Sequence, residues 1–204
     1  MVSAPRNDAD SDSPEQERRA GILHGALTVF LAYGFSRTTM DDIARAVGMS
    51  RPALYLVFRN KTDIFRAGAA MMLDHSVDTA AAILRGDAAF ADRVKRAIDV
   101  GLLSMMREVA SSPHGSELLD LKHSIAADLI QNWRKSLGRH VCRAIAEEAQ
   151  RRGLDLARRG LSAEILAEML LDGLEGAKTR TSDPDQQLRA VYALVTVIDL
   201  ALKA

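Results

Sequence analysis

Residues 34–65, GFSRTTMDDIARAVGMSRPALYLVFRNKTDIF, leave little freedom in how they can fold. Two short helical patterns stand either side of a glycine, and each begins on a hydroxyl residue. Thr38 and Thr39 precede Asp41, Asp42, Ile43, Ala44 and Val47. One threonine oxygen can therefore cap the first backbone amides, while the acids sit at the positive end of the helix. This helix is expected to run to about Val47. Gly48 follows, where a left-handed residue ends a helix at low cost, and Ser50 supplies a second cap just before Arg51 and Pro52. From there Leu54 and Phe58 recur at four-residue spacing and must face a small core. Arg51, Pro52, Tyr55, Leu56 and Arg59 are left pointing outward.

Two helices around a three-residue turn, the second short, basic and outward-facing, form a helix-turn-helix, a unit whose second helix lies in the major groove of duplex DNA. The net charge of zero argues against such a partner until it is divided along the chain. Residues 1–17 are net −4, residues 18–66 are net +5, with seven arginines and one lysine against three aspartates, and the remainder is net −1. The neutrality conceals a basic head able to displace counterions from a phosphate backbone.

The same stretch resembles the DNA-binding domain of the tetracycline-repressor (TetR) family in Gly34-Phe35, Thr38-Thr39, Ile43-Ala44, Gly48, Ser50, Leu54-Tyr55, Phe58 and Lys61. The resemblance includes the preceding helix from about Pro14 and covers roughly the first third of the chain. It implies phosphate contacts from Thr39, Tyr55 and Lys61, and it puts Arg51, Pro52 and Ala53 nearest the base edges. Leu56 and Val57 depart from the pattern, since the family often has aromatic or histidine side chains there. Some phosphate affinity is then either missing or supplied by Arg37, Arg45 or Arg59. With both caps included, the candidate DNA-facing set is Thr38, Thr39, Arg45, Ser50, Arg51, Pro52, Ala53, Tyr55, Leu56, Arg59 and Lys61.

The expected fold is all-α, an N-terminal three-helix helix-turn-helix domain followed by a C-terminal helical bundle for ligand binding and dimerisation. Residues 1–13 read as a disordered acidic leader, 14–66 as the reading domain with its motif over 38–57, and 67–204 as the helical body. Ser13-Pro14-Glu15-Gln16 has the form of a capping box, and Ile22, Leu23, Ala26, Leu27, Phe30 and Leu31 give its helix an apolar face. A long helix from Lys61 to about Arg85 links the two parts. Further helices are expected over 90–109, 116–151 with an internal break, 162–179 and 184–202, and no strand alternation stands out. The apolar runs are broken by charge well before about 20 residues and the N-terminus lacks a hydrophobic signal, so a cytoplasmic protein without a membrane span is expected. The single Cys142 excludes an internal disulfide.

Residues 188–200, LRAVYALVTVIDL, are apolar almost all round, which a helix of a soluble chain tolerates only when covered on two sides. A homodimer supplies the second cover, with Ile165, Met169, Leu170, Gly173, Leu174, Val191, Leu194, Val195 and Ile198 expected at its interface. Met71, Met72, Met105, Met106 and Met169, with His75, His123 and Trp133, form a deformable lining with polar handles, the expected pocket for a small, largely apolar effector. No metal-ligand spacing or phosphate loop is present, so neither metal nor cofactor is expected. These readings converge on a transcriptional regulator, a repressor released from a palindromic double-stranded DNA operator by its effector. Two alternatives stay open: a DNA-binding protein without a ligand, and a helical enzyme, against which stands the lack of a Gly-x-Ser-x-Gly elbow.

Overall fold

The computed structural model describes residues 12–181 and 183–203, except the side chains of residues 12, 13, 105, 122 and 123. Every regular element among the described residues is helical. The helices are α1 (Asp12–Tyr33), α2 (Met40–Ala46), α3 (Arg51–Val57), α4 (Lys61–Leu84) and α5 (Phe90–Arg96), then a π-helical segment (Ala97–Leu103). They continue with α6 (Ser104–Ser111), α7 (Gly115–Ser124), α8 (Ala127–Arg151), a 3-10 turn (Ala157–Arg159), α9 (Ala163–Arg180) and α10 (Pro184–Ala201). The expected leader lies, but for its last two residues, outside the described residues. Helix α1 starts at Asp12, so Ser13 falls inside it and is not its cap. The break expected within 116–151 separates α7 from α8.

The chain forms two compact units. The first contains residues up to Met71 together with Glu108–Ala127, and the second Met72–Arg107 together with Asp128–Ala204. The expected division after residue 66 does not anticipate that α7 sits with the reading helices.

In the first unit Ile22, Leu23, Ala26 and Phe30 of α1 are buried with Ile43 and Ala44 of α2, Leu54 of α3, Phe58, and Ile64 and Phe65 of α4. Phe30, Phe35 and Phe65 form a ring cluster with centroids 5.4–5.9 Å apart. Each large side chain buried here contributes about 1.5 to 3 kcal/mol, enough to hold helices as short as α2 and α3 that would not persist alone.

The core of the second unit is built from Ala80 and Leu84 of α4, Phe90 and Val94 of α5, Leu137, Val141 and Ile145 of α8, Leu166, Leu170 and Leu174 of α9, and Val191, Val195 and Ile198 of α10. A charged cluster closes one end of it. Arg93, buried, donates to Ala88 O at 2.9 Å, to Leu84 O and to Glu148 at 3.2 Å. Glu148 also accepts from Arg151 and, at 2.6 Å, from Arg152. Arg152 pairs with Asp199 at 2.9 Å and donates to Leu202 O at 2.9 Å. These arginines satisfy carbonyls at the ends of α4 and α10 that have no partner within their helices.

Candidate nucleic-acid interface

Helix α2 opens on Thr39, whose Oγ1 accepts the Asp42 amide at 3.2 Å while an Asp42 oxygen accepts the Thr39 amide at 3.0 Å and its hydroxyl at 2.7 Å. This reciprocal cap settles which of the two adjacent threonines has the capping role. The Thr39 hydroxyl, then its amide, hold the Asp42 carboxyl below its ordinary range. Thr38 is instead buried, and its hydroxyl donates to Gly34 O at 2.6 Å. It is therefore withdrawn from the expected DNA-facing set.

The helix ends at Gly48, in the left-handed region at φ +68°. The Gly48 amide donates to Arg45 O at 3.3 Å and the Met49 amide to Ala44 O at 2.8 Å, the paired bonds of a Schellman stop. Ser50 then caps α3, accepting the Ala53 amide at 3.3 Å, with Pro52 in the first turn.

Helix α3 is anchored by the buried Leu54 and, at its end, Phe58, over whose ring the Arg19 guanidinium lies at 4.3 Å. Arg51, Pro52, Tyr55, Leu56 and Arg59 are exposed and Ala53 is half-buried. Leu56 has 89% of its surface free. The Arg51 guanidinium stands 5.7 Å from the Tyr55 ring centre. Its side chain is thus partly pre-oriented.

Two further cations depart from expectation. Arg45 pairs with Asp41 at 2.6 Å and lies 3.8 Å from Asp42, so its charge is countered within its own helix. The Lys61 ammonium donates to Phe35 O at 2.8 Å, Ser36 O at 3.1 Å and Thr38 O at 3.0 Å, and sits 4.6 Å from the Phe35 ring centre. An ammonium has three donors, and all are in use. Lys61 clamps the α1–α2 turn where a phosphate contact was expected, a role invisible without the tertiary structure. Arg37 and Arg59 are exposed and form no ion pair among the described residues.

None of the described side chains expected to line a ligand pocket is buried. Met71, Met72 and Met106 are half-buried, His75 and Met169 are exposed, and the Trp133 indole donates to Ser76 Oγ at 3.1 Å. The side chains of Met105 and His123 lie outside the described residues. An enclosed cavity of about 20 Å³ does exist in the second unit, walled by Leu84, Val94, Ala97, Ile98, Leu102, Leu137, Val141, Leu170, Leu171 and Leu174. None of the described side chains expected around a ligand lines it. Among the described residues no His, Cys, Asp and Glu cluster could hold a metal, and no helix is long and apolar enough to cross a membrane.

The expected dimer surface also divides. Leu170, Leu174, Val191, Val195 and Ile198 are already buried in their own core, so they cannot form a free face. Gly173 is covered by Leu194 of the same chain. Ile165 and Met169 stay exposed, joined by Val197 and Leu200, which the sequence reading missed.

Residues 22–67 match the family model described as bacterial regulatory proteins, tetR family. This segment is a TetR-type helix-turn-helix domain. The protein is a DNA-binding regulator of transcription. It is 28% identical over 187 residues to the HTH-type transcriptional repressor Rv1474c of Mycobacterium tuberculosis, covering 87% of this chain and 90% of that one. Identity to the regulator AcrR of Shigella flexneri is 44% over 50 residues, 24% of this chain and 23% of that one. Among solved structures, a TetR-family regulator from Mesorhizobium loti superposes with a TM-score of 0.64 at 16% identity, covering 90% of this chain and 95% of that one. SmeT, the repressor of a Stenotrophomonas maltophilia multidrug efflux pump, gives 0.63 at 18% identity, covering 90% and 89%. These two likenesses establish the TetR fold beyond the reading domain.

Proposed function

We propose that this chain is a repressor that binds a two-fold-symmetric operator as a homodimer and leaves it when a small apolar effector enters the second unit. The observation that carries the reading is α3 itself, held by Leu54 and Phe58 while Arg51, Pro52, Tyr55, Leu56 and Arg59 face outward. Arg51 suits a guanine edge and Leu56 a thymine methyl group. Thr39, Tyr55, Ser50 and Arg59, with Arg37, flank them as phosphate partners. Repression rather than activation is supported by the name of the Mycobacterium tuberculosis relative, matched over nearly its whole length.

Dimerisation is supported by Ile165, Met169, Val197 and Leu200, apolar side chains left exposed on α9 and α10. The effector site is the apolar cavity in the second unit. Its lining offers no hydrogen bond, so only hydrocarbon surface would be favoured there. At about 20 Å³ it must open to accept any ligand.

The test is selection from a random duplex library with purified protein. Expected is an inverted repeat whose half-sites lie about 34 to 36 Å apart centre to centre, bound by wild type and lost, with the dimer, in Val197→Glu. Failure to enrich any duplex would remove the reading, and stimulation of transcription from the recovered site would replace repressor by activator.

Lys61 separates the phosphate list from the scaffold. Lys61→Met is expected to lower thermal stability while leaving the salt dependence of operator binding unchanged, because its ammonium is already satisfied by carbonyls. A slope reduced by about one ion per contact would return Lys61 to the phosphate partners.

A further inference from the structure

We propose that the reading unit carries a ligand site of its own, an open pocket beside α1 and α2 that takes a planar aromatic carboxylate, with Arg37 as the partner of the carboxylate and Tyr33 as the stacking face. It concerns a different unit and a different chemical class from the hydrocarbon proposed for the apolar cavity, and it stands whether or not that cavity is ever filled. Only its consequence for the operator rests on the DNA reading above.

Helix α1 supplies Val29 and Tyr33, one helical turn apart, and α2 supplies Asp42, Arg45 and Ala46. Arg37, from the turn between these helices, and His114, just before α7, complete the wall. All of these residues belong to the first unit. The pocket has a volume of about 470 Å³. A cavity of about 150 Å³ already holds benzene, so one ring or two fused rings find room here.

The groups left without a partner decide what chemistry the pocket favours. Asp42 is engaged by the Thr39 amide and hydroxyl, and Arg45 is paired with Asp41 at 2.6 Å. Arg37, by contrast, is exposed and has neither hydrogen bond nor ion pair among the described residues, and the Tyr33 hydroxyl is equally unengaged. His114 turns Nδ1 toward Glu117 at 3.9 Å, which leaves its Nε2 for another partner. The unengaged groups are thus a guanidinium with five donors, a phenol and an imidazole nitrogen, and none of them is an anion. A carboxylate meets them best, since its two oxygens match the guanidinium fork. A phosphate monoester carries nearly a second charge at neutral pH, and Arg45, already neutralised by Asp41, is not free to receive it. The ring is favoured by the remaining surface. Tyr33 leaves 63% of itself exposed, and Val29 and Ala46 add hydrocarbon beside it.

Arg37 is also one of the proposed phosphate partners, and a guanidinium engaged by a carboxylate no longer attracts a phosphate. Ligand and operator then compete for one cation. A small molecule of this class would loosen operator binding from within the reading unit, with no helix having to move.

The test is titration of the full chain with 2-naphthoate at fixed ionic strength, followed by the fluorescence of the probe and by backbone amide shifts. Expected is one site per chain, with shift changes concentrated at residues 29–46 and around residue 114. The neutral 2-naphthamide should bind about tenfold more weakly, acetate not measurably, and 2-naphthyl phosphate no more tightly than the carboxylate. Arg37→Ala should weaken 2-naphthoate about tenfold and Tyr33→Ala about fivefold. Neither side chain has a polar partner to lose, so both variants should keep the circular dichroism of the wild type. Tyr33 lies outside the DNA-facing set; Tyr33→Ala should therefore hold the selected operator as the wild type does and require about fivefold more 2-naphthoate to release it. No binding, equal binding of acid and amide, undiminished binding in both variants, or shift changes confined to the second unit would overturn the proposal. Binding here that leaves the operator in place would uphold the site and remove the competition. Binding here by a protein that selects no operator would uphold the site and remove only the operator reading.

Discussion

Arg51→Ala is expected to cost about 1 to 3 kcal/mol per half-site and to relax base preference at one position in each. In a dimer the loss occurs twice, so the operator constant should fall by more than tenfold. Its guanidinium is exposed at the first residue of α3, turned toward the Tyr55 ring. That ring contact reduces the freedom lost on docking, which is why Tyr55→Ala should weaken binding in the same direction. Arg51→Lys should fail to restore discrimination, because an ammonium lacks the planar fork that grips a guanine edge. Competition titrations of operator variants against each protein provide the measurement. Equal losses on every sequence, accompanied by a shallower salt slope, would reassign Arg51 to the backbone.

Glu148→Ala is expected to lower the stability of the folded chain by about 3 to 5 kcal/mol, read from urea unfolding. The carboxylate is the only one paired with the buried Arg93 among the described residues, and it joins Arg151 and Arg152 as well. Removing it leaves a guanidinium charge inside the unit with carbonyl partners only. A paired removal, Glu148→Ala with Arg93→Met, should cost less than the sum of the two single changes. A loss below about 1 kcal/mol would mean that water already serves the cluster. Acid should act on the neighbouring pair. Burial alone would raise the Asp199 carboxyl, but Arg152 and Lys203 outweigh it and hold the group below its ordinary range. A carboxyl lowered on folding stabilises fully above its unfolded pKa. That contribution is therefore complete at neutral pH and is lost as pH falls through the ordinary carboxylate range and then past the lowered folded value. Asp199→Asn should flatten this acid limb.

The reading domain was legible because its signals are local. Thr39, Gly48, Ser50 and Pro52 act within three or four residues of themselves, so spacing alone fixes the caps and the stop. Which of two adjacent threonines would cap was not decidable from spacing, since either oxygen is a competent acceptor. Lys61 was misread because its carbonyl partners lie 23 to 26 residues away, and nothing in the sequence announces them. The body was legible as helices but not as surfaces. Helix α10 is apolar on nearly every side, so periodicity could not say which side faces inward, and five residues assigned to a partner proved to be core. The methionines attracted attention as a lining, whereas the cavity is built from leucine, valine, isoleucine and alanine, residues that look in sequence like any other core. The π-helical segment left no cue in composition.

Helix α3 is seven residues long, and of its side chains only Leu54 is buried. Its structural obligations are met by that leucine, the serine before it and the phenylalanine after it. The outward positions 51, 52, 55, 56 and 59 are therefore hardly constrained by the scaffold, and in the proposed role they answer to the nucleic acid. A lineage can rewrite them to address a new set of promoters without renegotiating the fold, and an engineer can transplant them onto a sister protein as a cassette.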